Sequence, residues 1–365
     1  MVVSCRMLCH LFGVGVACGR SGLRLGSSLP MRLLFFKHWT GDSDEVGIVI
    51  AKALFRRRAG TAQLFATVAP PLCLEDIFRG DPAWTPLQQE QEIAPGKAGT
   101  DLIIRAVARP QGDRSLTSWP VSVFIANRLR YRFLVRGPTV WTYRRWRGWR
   151  RSLPIPVSQV PISYDLAFGG HAPGPDGAIM VYEHNPAGLG FVTRERLAAR
   201  HDIRIPQIGD DAGFLTTDPL AEMPVHGFGP IAKPWLPRRR MAGTFDQRWL
   251  NERHPRMPED HSLRFWNAAQ AEMVLEPPLQ GDEEIVVAGI SRRPDDVRVC
   301  LPRFRCHLDL SGTEHVQLPM TLDTVMLDLE ADDPQSHSAT MIWRARVEAP
   351  DRFDAADVIS QRLET

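Results

Sequence analysis

Three carboxylates in the middle of the sequence, Asp165, Glu183 and Asp246, have the chemistry of an acid–base site. Paired carboxylic acids on either side of a glycosidic bond hydrolyse it, one as the acid and the other as base or nucleophile. Trp235 and Trp249 lie near these carboxylates in the sequence. Any long chain offers such pairs, however, so a hydrolase with this acidic site is an alternative function rather than the leading one.

Histidines beside acidic residues offer a second possible chemistry, that of a metal or acid–base cluster. They occur at Glu183-His184 and at His201-Asp202, upstream of Asp210-Asp211. Adjacent residues on a strand point to opposite faces, so loop hydrogen bonding by these side chains is the better interpretation. The sequence also lacks a zinc-protease helix, a phosphate-binding glycine loop, a nucleophile elbow and paired cysteine knuckles. We therefore predict no catalytic residue, no metal and no cofactor, and hence no enzyme.

A cationic segment from Arg128 to Arg151 combines arginines with aromatic residues. Its first part alternates apolar residues with arginine, which predicts a half-buried strand with a cationic outer face. Stacking and phosphate contacts with single-stranded nucleic acid are possible for such a mixture, but an acidic protein partner is the stronger candidate. A charged strand edge that resists aggregation, with the rings packed inward, is the plain structural alternative. The candidate patch for an acidic partner comprises Arg128, Arg130, Arg132, Arg144, Arg145 and Arg147.

Glycines and prolines beside aromatic rings mark the region between the strands. They occur in three runs, Ser163–Gly170, Asn185–Phe191 and His226–Ile231. Such runs cannot form a long helix, because Gly costs about 1 kcal/mol and Pro about 3 kcal/mol in a helix interior. They predict tight turns in which glycine adopts a positive φ and the neighbouring ring anchors the turn to a core. A peptide-binding groove between these loops is the functional alternative.

The rest of the chain consists largely of short apolar runs that predict strands. These strands are expected at 33–36, 46–55, 100–108, 119–126, 128–136, 284–290, 297–301, 320–329 and 339–347. The predicted fold is mainly β, with a sandwich-like or two-sheet body, two or three short helices around Phe245–Ala271 and long Gly/Pro-rich loops. Residues 31–358 are expected to form one domain, or two β subdomains at 31–153 and 154–358, with a tail at 359–365.

The first 30 residues imitate an export signal only in part. Arg6 precedes an apolar run from Leu8 to Cys18, but Cys9 and His10 interrupt the run, which is too short to span a bilayer. We expect residues 1–30 to be a disordered or misannotated extension, with translation starting at Met31; a functional export signal is the alternative. Six scattered cysteines and a net charge of +2 favour a cytoplasmic protein that binds no membrane.

Five motifs in a fixed order link the centre of the chain to a known family. They are Tyr164-x-x-Ala167-Phe168-Gly169-Gly170, Asn185-Pro186-x-Gly188-x-Gly190-Phe191, Gly227-Phe228-Gly229-Pro230-Ile231-x-x-x-Trp235, Ala242-Gly243-Thr244-Phe245-Asp246-x-x-Trp249 and Phe265-Trp266-Asn267-Ala268-Ala269. In this order they resemble the bacterial domain-of-unknown-function family 2169 (DUF2169), over about Met31 to Val358. The motif residues are expected to be structural signature positions that also offer possible contacts to a partner.

Membership of this family would imply a function that the residues alone do not indicate. Its members are typically found in type VI secretion gene neighbourhoods, beside spike proteins and toxic effectors. They look like non-enzymatic adaptors or chaperones that load an effector onto the spike. The resemblance therefore implies protein partners for this chain, a secreted effector and a spike protein, and makes nucleic acid an unlikely partner.

Overall fold

A computed structural model describes residues 23–39, 45–57 and 63–362 of the chain. The predicted extension at 1–30 lies mostly outside the described residues, but its end is described, and Arg24–Ser27 forms strand β1. This strand pairs in parallel with the last strand, β26 (Phe353–Arg362). The tail expected from residue 359 is therefore part of a sheet as far as Arg362, because backbone pairing with a neighbouring strand continues to that residue.

The largest sheet has eight strands and draws them from both halves of the chain. Its main path follows the order β12-β7-β24-β25-β3-β2, with β19 paired to β7 and β4 paired to β3. Only β7 and β24 run parallel within it, with Asp101 opposite Thr324. The strands are β2 (Arg32–Trp39), β3 (Glu45–Arg57), β4 (Leu64–Thr67), β7 (Thr100–Ala108), β12 (Val160–Pro161), β19 (Val274–Leu275), β24 (Thr321–Leu329) and β25 (Ser338–Val347).

Two further sheets complete the body of the fold. A five-stranded sheet has the order β18-β9-β8-β20-β21, and a four-stranded sheet has the order β1-β26-β22-β23. The additional strands are β8 (Ser118–Ile125), β9 (Leu129–Arg136), β18 (Ile208–Gly209), β20 (Glu284–Ala288), β21 (Val297–Cys300), β22 (Phe304–Gly312) and β23 (His315–Pro319).

Smaller sheets and short helices form the connections. A three-stranded sheet, β11-β10-β17, continues from β9, and three two-stranded sheets pair β13 with β16, β14 with β15 and β5 with β6. These strands are β5 (Ile77–Phe78), β6 (Leu87–Gln89), β10 (Thr139–Arg144), β11 (Gly148–Arg151), β13 (Phe168–Gly169), β14 (His171–Pro173), β15 (Ile179–Val181), β16 (Leu189–Gly190) and β17 (Ile203–Ile205). The described α-helices are α1 (Arg194–Ala198), α2 (Asp211–Leu215), α3 (Leu236–Arg239) and α4 (Gln247–Glu252).

The helices expected around Phe245–Ala271 are confirmed as α4 and two 3₁₀ turns, Leu263–Trp266 and Ala271–Met273. The other three α-helices were not predicted, because each has at most five residues and is too short to show a 3.6-residue apolar period. Within the described part of the chain, no helix has the length and apolar character needed to cross a membrane.

One buried cluster joins the three main sheets. It includes Val49 and Phe55 of β3, Phe133 of β9, Leu308 of β22 and Val358 of β26. On the opposite face of the large sheet, alternate residues of β3 pack under the loop that carries Ile93. Both faces of β3 are thus covered, which explains its continuous apolar run. The mainly β, sandwich-like fold predicted from the sequence is confirmed.

Candidate functional site

The signature glycines bring two chain segments into backbone contact. Gly170 has a φ of +96°, and a Cβ atom there would lie only 2.4 Å from the carbonyl oxygen of Gly188. The pairing of Gly169 with Gly190 in β13 and β16 holds these segments together. Asn185, fully buried between them, donates from Nδ2 to the carbonyl oxygens of Tyr164 and Phe168, at 2.9 Å each. Pro186 and Phe191 complete this motif in half-buried positions.

An aromatic layer lies against this turn structure. Tyr164 is buried, packs edge-to-face on Trp235 with ring centroids 5.6 Å apart, and donates its hydroxyl proton to Gln270. Burial raises the pKa of Tyr164 well above its ordinary value, so the hydroxyl remains a donor. A Cβ at Gly227 would lie 2.7 Å from the Tyr164 ring. A Cβ at Gly229 would lie 3.8 Å from the same ring, and Phe228 and Pro230 on either side of Gly229 are buried.

The remaining signature residues stabilise the helical segment. Asp246 accepts a hydrogen bond from the backbone N–H of Trp249 at 2.8 Å and so caps the amino end of α4. Thr244 donates from its backbone N–H and its hydroxyl to Asp260, at 2.8 and 2.7 Å. Gly243 has a φ of +88°, which lets the chain turn next to the same carboxylate.

Asn267 connects this helical segment to the large sheet through a buried carboxylate. Its Nδ2 donates to Asp101 at 3.0 Å, and Asp101 also accepts from Lys97 at 2.7 Å. Although burial opposes its charge, Asp101 and Glu90 raise the pKa of Lys97. Burial alone would raise the pKa of Glu90, but Arg238, Lys97 and Lys233 together lower it to about 2. The network is thus charged and internally compensated, which is the condition for burying ions.

The structure gives each of the three candidate acid–base carboxylates a separate partner. Asp165 lies 3.4 Å from Arg79, Glu183 lies 2.9 Å from Arg239, and Asp246 caps α4. In the described part of the chain, no group of three or more His, Cys, Asp or Glu side chains is arranged to hold a metal ion. The candidate pairs with histidine at residues 183–184 and 201–202 are not brought together into such a cluster.

The first arginine group lies on the outer face of the five-stranded sheet. On β9 the predicted alternation is confirmed, with Leu129, Tyr131, Phe133 and Val135 buried and Arg130 and Arg132 exposed. Arg130 lies over the exposed ring of Phe124, at 5.8 Å, and Arg132 lies 3.6 Å from Asp211. Arg128 precedes β9 and donates to the carbonyl oxygen of Pro277.

The second arginine group lies at the tip of the β10–β11 hairpin. Arg144, Arg145 and Arg147 are exposed there, and the side chain of Trp146 between them is 88% exposed. Arg145 lies 5.1 Å from the centroid of the Trp146 ring. Arg130 lies near the start of β9 and the tip follows the end of β10, so the two groups are separated along the chain. The tryptophan rings of this hairpin differ in exposure, since Trp141 is buried and Trp146 faces outward.

No sequence signal pointed to a cleft of about 520 Å³ at one end of the large sheet. Strands β2, β24 and β25 and the segments 95–97 and 253–263 contribute its lining, so its residues have no common spacing. His38 of β2 lies in this lining and is 1% exposed, with an Nδ1 atom that has no hydrogen-bond partner. Burial, His261 and Arg346 lower the pKa of His38 from 6.5 to about 4.

The lowered pKa of His38 predicts a loss of stability in mild acid. Between about pH 6.5 and pH 4 the unfolded chain binds a proton that folded His38 does not, so stability is complete above pH 6.5 and falls as the pH drops to 4. The total loss expected is about 3 kcal/mol. The free energies of unfolding of the wild type and of His38→Gln, measured in urea and plotted against pH across this range, should converge at low pH. Parallel curves, as expected for the exposed control His201→Gln, would contradict the prediction.

Comparison with known proteins identifies the family of this chain. No curated protein and no solved structure gives a significant match. The profile of one family, described as an uncharacterized protein conserved in bacteria (DUF2169), matches residues 42–344. The matched region contains all five motifs found in the sequence and most of the described sheets. The chain therefore belongs to the DUF2169 family, as its motifs predicted.

Proposed function

We propose that this chain is a non-enzymatic adaptor, or chaperone, that binds a type VI secretion effector in the cytoplasm and helps to load it onto the spike. The proposal combines the role implied by the sequence motifs with one feature of the surface. That feature is Trp146 at the β10–β11 tip, 88% exposed and flanked by exposed arginines. In this proposal the tip, defined as residues 144–147, contacts the partner.

The tip has the composition of a binding hot spot. Tryptophan and arginine dominate such spots, because a large ring and a planar guanidinium bury much area and lose little conformational freedom. The fold does not use the Trp146 ring, since Trp141 and Trp149 supply the aromatic packing of this hairpin. Hydrophobic burial of an exposed indole therefore remains available to a partner.

Charge favours an acidic partner at this tip. Among the described residues, no carboxylate forms an ion pair with Arg144, Arg145 or Arg147. Three neighbouring cations without counter-charges repel one another and attract an acidic surface, which speeds association. Nucleic acid would satisfy the same charges, and its binding would fall steeply with salt concentration.

The test is a pull-down with the full chain against the products of neighbouring genes, followed by affinity measurement with the protein recovered. The full chain is required because Arg24–Ser27 forms a strand of the fold. Trp146→Ala and Arg145→Glu are each expected to weaken binding about 30-fold, the loss of one hot-spot side chain. The matched control is Arg130→Glu, which reverses another arginine that lies over an aromatic ring.

The outcomes separate the possible contacts. Weakening by Arg130→Glu but not by the tip variants would place the contact on the five-stranded sheet and contradict the assignment to the tip. Recovery of nucleic acid, with retention on heparin that disappears in moderate salt, would contradict the adaptor itself. Recovery of neither an effector nor a spike protein from cells that express the neighbouring genes would also count against it.

A further inference from the structure

The cleft at the end of the large sheet shares no lining residue with the β10–β11 tip and is rich in cations. Its volume, about 520 Å³, lies in the range of small-molecule sites. Four cationic side chains and two carboxylates contribute to its lining. The cations are Lys97, Arg253, Arg344 and Arg346, and the carboxylates are Glu259 and Asp323.

Two of the cations are fixed by buried contacts. Lys97 is held by Asp101 at 2.7 Å and by the hydroxyl of Thr324 at 2.9 Å. Arg344 lies 2.5 Å from Asp323 and also donates to the carbonyl oxygen of Ala94. These two side chains form a rigid floor, and their charges are already compensated.

The other two cations are held by weaker contacts at the mouth. Arg253 lies 3.2 Å from Glu259 and also donates from Nε to the carbonyl oxygen of Met257, and Arg346 lies 2.7 Å from Glu348. Both carboxylates are about two-thirds exposed or more. Exposed ion pairs contribute little to stability, so an incoming anion can replace either carboxylate at small cost.

The environment of His38 disfavours a positive charge on its ring at this wall of the cleft. After burial, which is the largest cause, the positive charge of Arg346 lowers the pKa of His38, and protonation of His261 would lower it further. His261 donates from Nδ1 to the carbonyl oxygen of Ala242 and accepts at Nε2 from the Trp266 indole, so both of its ring nitrogens are engaged. His38 Nδ1 lacks a partner and is the unsatisfied polar atom of this wall.

We propose that this cleft binds a small oxyanion, a carboxylate or a phosphate, between Arg253 and Arg346, with His38 behind it. The anion offsets the positive field at His38 and pairs with its ring, directly or through a water molecule carried in with the ligand. Guanidinium groups suit either oxyanion, because each can donate two parallel hydrogen bonds.

The experiment follows the histidine side chains of the full chain by NMR, after labelling with ¹³C-histidine. Inorganic phosphate and N-acetylaspartate serve as the two probes, each compared with sodium chloride at equal ionic strength. We expect a saturable shift of the His38 signal and uptake of a proton by His38 at a higher pH than in chloride. The probe that binds more tightly identifies the source of the oxyanion. His38→Gln, which removes one of 11 histidine signals, assigns the resonance.

Two matched controls decide the result. His337 is also buried with an unpartnered Nδ1, but it is not part of the cleft lining, so its signal should not move. Arg346→Gln should weaken probe binding about tenfold or more, whereas Arg352→Gln, which removes an arginine paired with Glu314 elsewhere, should not. No saturable shift with either probe, or equal shifts of His38 and His337, would overturn the proposal.

Discussion

Replacing Asp101 with asparagine is expected to lower the free energy of unfolding by about 3–5 kcal/mol, a large share of the stability of most proteins. Its two oxygens accept four hydrogen bonds, from Lys97, Asn267 and the backbone N–H groups of Ala268 and Ala269, at 2.7–3.2 Å. An asparagine amide would direct N–H donors at groups that are themselves donors. It would also leave Lys97 buried with Glu90 at 3.7 Å as its nearest remaining carboxylate partner.

The measurement is the urea midpoint of unfolding, with Asp351→Asn as the control. Asp351 is 81% exposed on its side chain and forms an ion pair of 2.9 Å with Lys37. Removal of an exposed pair is expected to change stability by less than about 1 kcal/mol. Equal midpoints for the two variants would show that the Asp101 network does not hold the helical segment to the large sheet.

Replacing Gly170 with alanine is expected to destabilise the chain by about 3–5 kcal/mol. A left-handed backbone costs a residue with a side chain about 1–2 kcal/mol, and Gly170 has a φ of +96°. A new Cβ only 2.4 Å from the Gly188 carbonyl oxygen adds an overlap with backbone, which cannot rotate away. Separation of the two segments would also expose the amide of Asn185 that joins them.

Gly177→Ala separates the overlap from the backbone strain. Gly177 also has a positive φ, +77°, but no atom lies within 4 Å of the position that a Cβ would take. Gly177→Ala should therefore destabilise the chain only through this backbone strain, by about 1–2 kcal/mol. Thermal unfolding of the two variants gives the difference directly. A loss as large for Gly177→Ala as for Gly170→Ala would mean that the close approach of Gly188 contributes nothing.

Local patterns in the sequence were enough to predict where most strands lie and what kind of fold they build. The period of two in β9 places Arg130 outside and Tyr131 inside, because successive side chains of a strand point to opposite faces. The long apolar run of β3 likewise marks a strand covered on both faces. The motif glycines identified the tight turns, since positive φ values are open to glycine. The family also followed from these motifs.

Strands with weak patterns escaped detection. The hairpin of β22 and β23 and the final strand β26 were not predicted, although they form most of the four-stranded sheet. β26 carries Asp354, Asp357 and Gln361 among its apolar residues, so its composition resembles that of a loop. Pairing with β22 and β1 makes it a strand, and such tertiary partners routinely override local propensity.

Contacts between residues far apart in the chain were set by the folding of the whole chain. It placed β7 beside β24 and Asp101 beside Asn267, turned Trp146 outward while Trp141 faced inward, and built the His38 cleft from five separate segments. Periodicity reports contacts between residues a few positions apart, because neighbouring side chains share one strand or turn. The choice among strands from opposite ends of the chain depends on the area they bury together, which no local pattern in the sequence records.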